Sequence, residues 1–288
     1  MKRYLKNFTI TEKFVKNSIY ECLDGSRSHK QRWTRYDVIN FLMAYTKKYA
    51  KEFNKEITDE QKIKEELKKI VKHKRYRIFP LIDYIARDFY NEIINESILF
   101  PPICYKNKYD TLTKKNREIG ITSIKQQCFD YIVVNACKEM FKAKIGHYQC
   151  ASLKLKGQTF GKTAIESWIR TNPKKCKWVY KADIEKFFPS VDHDKLKEKL
   201  KRDIKNEKVL YILFTLIDTY KKGLCIGTYL SQYLANYYLS YAYHYITENL
   251  YTIRRNKRIN YINYALFYMD DIILFSSNKK YLKRVIIL

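Results

Sequence analysis

Two adjacent carboxylates, Asp270 and Asp271, stand between the apolar runs Tyr264-Ala265-Leu266-Phe267-Tyr268 and Ile272-Ile273-Leu274-Phe275. Such runs read as the two strands of a hairpin, with the acids at its tip. Burying one carboxylate is costly and burying two together costs more. Turns favour Asp, so the bland reading of an isolated pair is a solvated turn. Ordinary hairpin tips carry Asn, Gly or Lys, however, and this one has none. A third acid, Asp183, ends another strand-like segment that begins at Lys177-Trp178-Val179. Three carboxylates at the ends of adjacent strands in a basic protein make a natural site for two divalent cations. Mg2+ takes hard oxygen ligands and is completed by substrate phosphates and water. Two such ions about 4 Å apart activate an attacking hydroxyl and stabilise a departing pyrophosphate. That chemistry is nucleotidyl transfer.

The composition fits a substrate of this kind. The 288 residues hold 57 Lys+Arg against 30 Asp+Glu, a formal net charge of +27, which points to a polyanion. Nucleic acid is the commonest one, and 27 Tyr and 15 Phe add faces on which unpaired bases stack. A membrane-surface protein would concentrate its charge in one amphipathic helix or tail, whereas Lys and Arg run along this whole chain. Biased base composition in the gene is the plain alternative for a Lys/Asn/Ile/Tyr-heavy protein. At 46% hydrophobic and 30% charged the chain is globular, and no apolar stretch is long enough to span a bilayer. The N-terminus lacks the apolar core of a secretory signal. Seven cysteines without a CxxC pair argue against a disulfide framework and for reduced thiols, so the expected location is cytoplasmic. His29, His73, His147, His193 and His244 show no ligand spacing, and no zinc site is expected.

The elements that must position the acids follow from periodicity. Residues 1 to about 100 read as helical, with an N-cap candidate at Thr58-Asp59 and a helical apolar face from Leu81, Ile82, Ile85 and Phe89 up to Ile94. Pro101-Pro102 is the expected stop. Short β-like pieces rich in Lys and Tyr follow, up to Ile121. Ile124, Cys128, Ile132, Val133 and Cys137 then share one helical face. Beyond residue 177 strand and helix alternate. Ser190 or Asp192 is expected to cap a helix from His193, a helix is expected over Val209 to Tyr220, Gly223 and Gly227 bracket a turn, and an aromatic helix starts near Ser231. Val285 to Leu288 reads as strand-like. The fold class is α+β with a small antiparallel sheet.

At this point the motifs resemble a known family. Tyr268-Met269-Asp270-Asp271 resembles the YxDD box of reverse transcriptases, and Asp183-Ile184-Glu185-Lys186-Phe187-Phe188-Pro189-Ser190-Val191-Asp192 their motif A in its bacterial form. Gly223 to Gln232, running on through Ala235-Asn236-Tyr237-Tyr238-Leu239, resembles motif B. Arg117-Glu118-Ile119-Gly120-Ile121 and Tyr148-Gln149-Cys150-Ala151-Ser152 through Lys156-Gly157-Gln158 resemble the two fingers motifs. The resemblance covers about residues 105 to 276, with the blocks in the family's order. One departure is informative. Most reverse transcriptases carry Gln before the motif B glycine and Pro after its serine, where this chain has Ile226 and Gln232. That IGxxxSQ form resembles the enzymes of bacterial and phage diversity-generating retroelements, which implies error-prone copying at template adenines. A branched apolar side chain in place of an amide removes hydrogen bonds that could fix a nascent base pair; packing in a variant loop is the alternative for Ile226.

The resemblance implies a right-hand polymerase with fingers and palm. Residues 1–100 form a helical N-terminal or fingers extension and 101–288 the fingers–palm domain. It implies catalysis by Asp183, Asp270 and Asp271, with two Mg2+ ions, or Mn2+ in their place, held at Asp183, Ile184, Asp270 and Asp271. Arg117, Phe188, Ile226 and Gly227 would meet the nucleotide, Phe188 as the bulky gate against a ribose 2′-hydroxyl. Lys156, Gln232 and Asn236 would face the template. The alternatives are a core aromatic for Phe188, solvated cations for Arg117 and Lys156, and structural partners for Gln232 and Asn236. The implied partners are an RNA template, a DNA or RNA primer, dNTPs and a small basic accessory protein. Because the chain ends soon after Asp271, it is expected to be truncated, with its thumb absent. Other readings are a non-catalytic RNA-binding remnant or subunit and a domesticated, defence-associated reverse transcriptase.

Overall fold

A computed structural model describes residues 3–24, 32–52, 59–111 and 114–287. Thr58, His29 and Leu288 lie outside the described residues. In chain order the elements are helices α1 (Glu12–Asp24), α2 (Tyr36–Lys48), α3 (Glu60–His73) and α4 (Phe79–Ile94), then strands β1 (Cys104–Asp110) and β2 (Lys115–Ile121). Helices α5 (Ile124–Ala136) and α6 (Lys138–Lys144) lead to β3 (Gln149–Cys150), α7 (Gln158–Thr171), β4 (Trp178–Asp183) and the short α8 (Phe187–Ser190). Then come α9 (His193–Asp203), α10 (Glu207–Asp218), α11 (Tyr229–His244), β5 (Tyr251–Arg254), β6 (Lys257–Asn260), β7 (Tyr264–Tyr268), β8 (Asp271–Ser276) and α12 (Lys279–Ile287).

Two compact units share the chain by exchanging segments. The first comprises 1–137, 193–221 and 225–230; the second comprises 138–192, 222–224 and 231–288.

In the first unit, local signals set the helix starts. Asp59 caps α3 by accepting from the N–H groups of Gln61 and Lys62 at 2.9 and 3.3 Å. Ser123 and Asn206 cap α5 and α10 in the same way. Helix α1 packs against α4 and α5 through Val15, Ile19, Cys22 and Leu23, all fully buried. Phe89 of α4 meets Phe129 of α5 at 4.9 Å between ring centroids. Each such side chain contributes roughly 1.5–3 kcal/mol on leaving water. Strands β1 and β2 form an antiparallel hairpin with Lys108 opposite Arg117.

The second unit is built on a four-stranded sheet ordered β3-β7-β8-β4. On one face, Trp168 of α7 stacks flat on Tyr264 at 4.8 Å, over a buried cluster of Cys150, Leu266 and Phe275. On the other, Tyr243 of α11 meets Phe267 edge-on at 5.4 Å. Successive strand residues point to opposite faces, so this apolar stretch serves both layers.

Several expectations change. The sheet is antiparallel only across β7, β8 and β4; β3 pairs with β7 in parallel, because the loop entering it from α6 runs alongside the hairpin. Helix α4 buries Ile93 rather than Ile94 and ends before Pro101, closed by Asn95. Ser190 lies inside α8, its hydroxyl donating to the Phe187 carbonyl at 2.8 Å, and α9 starts at His193. Residues 279–287 form a helix, not a strand, burying Leu282 and Val285 three positions apart on one side.

Candidate active site

The three acids come together at one end of the sheet. Strand β4 runs antiparallel to β8 with Asp183 directly opposite Asp271. Paired residues share a face with Cβ atoms about 4.5–5.5 Å apart, and like charges so placed repel. Asp270 occupies the turn between β7 and β8, and its carbonyl accepts from the Ile184 N–H at 3.2 Å. That bond ties the turn to the residue following Asp183. Lys181 places its ammonium 3.4 Å from an Asp271 carboxylate oxygen, but it is 69% exposed and offsets little of the repulsion.

The turn itself is strained. Tyr268 pairs with Asp271, leaving Met269 and Asp270 as a two-residue loop with Met269 at φ +55°. A positive φ at the first loop position is where hairpins prefer Gly. The surroundings hold Met269 there. Its N–H reaches the Cys150 carbonyl at 3.4 Å, and its sulfur lies 3.5 Å from the Asn236 amide nitrogen. That amide also donates to the carbonyls of Ala151 at 3.3 Å and Gln232 at 3.1 Å. Gln149, fully buried, donates to the Asn236 carbonyl at 2.9 Å and accepts from the Gly146 N–H at 2.8 Å. Thus Gln149, Asn236 and Met269 support the acidic turn from beneath.

The donors suit Mg2+ or Mn2+. The acids that the strand register brings to this end of the sheet are carboxylates without His or Cys, and repulsion across the β4–β8 pair is what a divalent cation would relieve. Among the described residues no three of His, Cys, Asp and Glu make a ready-made cage. Mg2+ ordinarily binds one or two carboxylates plus substrate phosphates, so this set is compatible with it.

Motif A and the first motif B glycine meet in the same unit. Gly223 has φ +56°, and a Cβ there would lie 2.2 Å from the Phe188 carbonyl. That carbonyl accepts from the Leu224 N–H at 2.8 Å. Phe187 is buried and Phe188 half-buried, their separation arising in a helical turn rather than from strand alternation.

Residues 105–287 match the family model described as reverse transcriptase (RNA-dependent DNA polymerase). The chain belongs to the reverse transcriptase family. No curated protein matches it. The family carries the fingers and palm of a polymerase that copies RNA into DNA, with a nucleic-acid template and primer and dNTPs as substrates. Its α+β architecture agrees with the helices and small sheets of this chain. Among the described residues no helix is long and apolar enough to cross a membrane.

The remaining reverse transcriptase motif residues fall in different places. Arg117 is exposed on β2 of the first unit. In that unit the Gly120 N–H donates to the Ile226 carbonyl at 2.8 Å, and Gly227, at φ +110°, approaches the Gly120 carbonyl too closely for a side chain. The fingers hairpin and the start of motif B are therefore joined through backbone. Ile226 is half-buried. In the second unit Lys156 is half-buried, donating to the Gly146 carbonyl at 3.1 Å; burial lowers its ammonium below the ordinary lysine range. Its ammonium therefore has a protein partner in the Gly146 carbonyl. Asn236 is 1% exposed, so its amide serves protein partners; Gln232 is half-buried.

One buried acid carried no motif signal. Asp130, in the apolar run of α5, is fully buried and accepts from the N–H groups of Tyr229 and Leu230, the latter at 3.5 Å. These residues open α11, the motif B helix. Burial raises the Asp130 carboxyl to about 7, against the pull of those N–H groups. An acid inside an apolar helical face was the available clue.

Proposed function

We propose that the chain is an RNA-directed DNA polymerase of the diversity-generating retroelement type, adding dNTPs to a primer on an RNA template by two-metal-ion catalysis. The observation that carries this reading is the opposition of Asp183 and Asp271 across β4 and β8, with Asp270 at the adjoining turn. Asp183, Asp270, Asp271 and the chain at Ile184 would hold two Mg2+ ions. When bound, these supply Lewis-acid activation of the primer 3′-hydroxyl and neutralise charge on the departing pyrophosphate. The hydroxyl attacks the dNTP α-phosphate and pyrophosphate leaves.

The chain's own groups bind and orient. Arg117 offers a planar fork to triphosphate oxygens. Phe188, whose carbonyl Gly223 approaches, would serve as the bulky gate that excludes a ribose 2′-hydroxyl. Lys156, Gln232 and Asn236 would face the template side, with Lys156 and Asn236 also bonded to the loop and turn beside the acids. A small basic accessory protein is the expected partner of this retroelement class. Mg2+-dependent incorporation of dNTPs on a primed RNA by the purified chain tests the reading. RNA binding without incorporation would favour a non-catalytic subunit.

The retroelement assignment rests on Ile226, and it has its own expected outcome. Ile226→Gln restores an amide where most of the family has one. Misincorporation opposite template adenine should fall about five- to tenfold, the worth of one added hydrogen bond near 1 kcal/mol. Sequencing the cDNA products measures it, and an unchanged adenine error rate would refute this role for Ile226.

A further inference from the structure

Strands β5 and β6 form a separate two-stranded ribbon in the second unit, outside all the motifs described above. Between Leu250 and Met269 the chain carries no Asp or Glu, yet Arg254, Arg255, Lys257 and Arg258 fall within five residues. Among the described residues none of Arg254, Arg255 and Lys257 has an ion-pair partner, and all three are exposed. Arg254 stands directly opposite Lys257 in the strand register. Like charges so paired destabilise a ribbon, so folding alone does not account for them.

The tip carries the same signature. Arg255 and Asn256 both have positive φ, +49° and +56°, as a two-residue turn of the mirror-image type requires. Gly or Asn suits the first position, and Arg there keeps a cation at the point of the ribbon at a conformational cost. On one face the Arg258 guanidinium lies 4.2 Å from the centroid of the Tyr251 ring. It is fixed by bonds to the Glu248 carbonyl and, at 2.9 Å, to the Asn260 side-chain oxygen. Ile253, opposite Arg258 in register, is 68% exposed. This face is therefore a plate of ring, guanidinium and aliphatic surface, while Arg254 and Lys257 project from the ribbon's opposite face and Arg255 stands at its tip.

We propose that the β5–β6 ribbon is a docking site for single-stranded RNA. Bases would stack on the Tyr251–Arg258–Ile253 face, and backbone phosphates would pair with Arg254, Arg255 and Lys257. A planar stacking surface on one face, with cations at the tip and on the reverse for a backbone that passes round the ribbon's end, suits unpaired bases, whereas duplex RNA hides its base faces and offers a major groove too narrow to read. The ribbon is distinct from the acidic turn. It enters β7 at Tyr264, and the four residue steps from there to Tyr268, at about 3.3 Å each, put roughly 13 Å between the start of that strand and its acidic end. Tyr261 anchors that base, stacking on Tyr281 at 4.8 Å and accepting from the Ser276 hydroxyl at 2.7 Å. The ribbon would thus hold RNA flanking the copied stretch. The proposal rests on the polymerase reading only for the source of that RNA.

The triple variant R254Q/R255Q/K257Q and, separately, Tyr251→Ala test it. Affinity for a 20-nucleotide single-stranded RNA is measured by fluorescence anisotropy over a salt series, with thermal melts confirming the fold. Three lost phosphate contacts should lower the slope of log affinity against log salt by about 2, and weaken binding about tenfold or more. Tyr251→Ala should weaken binding with the slope unchanged. Incorporation on a primer–template too short to reach the ribbon should persist in both. An unchanged affinity and slope in the triple variant would overturn the proposal. So would duplex RNA competing as well as single strands, or a loss confined to vesicles containing phosphatidylserine. A wild-type chain that binds RNA through the ribbon but incorporates nothing refutes the polymerase reading and leaves the ribbon standing.

Discussion

Asp270→Ala is expected to abolish dNTP incorporation on primed RNA and to leave RNA affinity unchanged or slightly higher. The carboxylate sits at a two-residue turn whose neighbours, Asp183 and Asp271, already face each other across the strand pair. On the proposed two-metal reading, removing one member of the set would take away a cation ligand and also part of the mutual repulsion. Metal ions in such sites supply several kcal/mol of transition-state charge stabilisation, and about 4 kcal/mol is a thousandfold in rate. Loss of roughly a thousandfold or more is therefore expected, with Asp183→Ala alongside it. RNA affinity moves the other way because one negative charge disappears near a polyanion. Asp270→Asn keeps the turn's shape and isolates the charge. Single-turnover incorporation in Mg2+ beside equilibrium RNA binding separates the outcomes. Full incorporation by Asp270→Ala would show that the metals are held elsewhere.

A second large effect is expected on stability, within the first unit. Asp130→Asn should stabilise the protein at neutral and higher pH and flatten its pH dependence. In the unfolded chain an Asp carboxyl ionises near 3.9; in the fold, burial holds it to about 7. One of its oxygens has no hydrogen-bond partner, so the two N–H groups at the start of α11 do not offset the lost hydration. Between pH 4 and 7 the unfolded state releases this proton while the native state retains it. Stability is thus fully present below about pH 4 and is lost as pH rises through 7, by up to about 4 kcal/mol. Asn keeps an oxygen for the Tyr229 and Leu230 N–H groups and never ionises. Urea midpoints from pH 4 to 8 check this, and parallel curves for the two proteins would refute it.

Much of the local structure is written in short-range pattern. Asp59, Ser123 and Asn206 mark helix starts because a side-chain oxygen reaches an N–H only two or three residues away. The apolar runs on either side of Met269-Asp270 specify a hairpin for a similar reason, since strand alternation and a two-residue loop involve adjacent residues. The acids were therefore visible at strand ends, and the family motifs around them in their proper order.

Other features depend on which distant segment arrives. Asn236 looks like a polar residue on an aromatic helix until Ala151 and Met269 close over it. Lys156 looks like one surface cation among many until the Gly146 carbonyl takes its ammonium. The parallel β3 strand is two residues long, too short for any periodicity, and exists only because β7 offers an open edge. Helix α12 reads as strand at its apolar end because Val285, Ile286 and Ile287 are contiguous; only packing shows that Leu282 and Val285 are the buried pair.

By itself the sequence determined the acidic residues, their placement at strand ends, the excess of positive charge and the reverse transcriptase motif order. Tertiary structure alone decided that Asp183 faces Asp271, that Gln149 and Asn236 brace the turn, and that Asp130 meets the start of α11. The first set rests on contacts between neighbours along the chain. The second rests on strand register and burial, which bring together residues up to about a hundred positions apart.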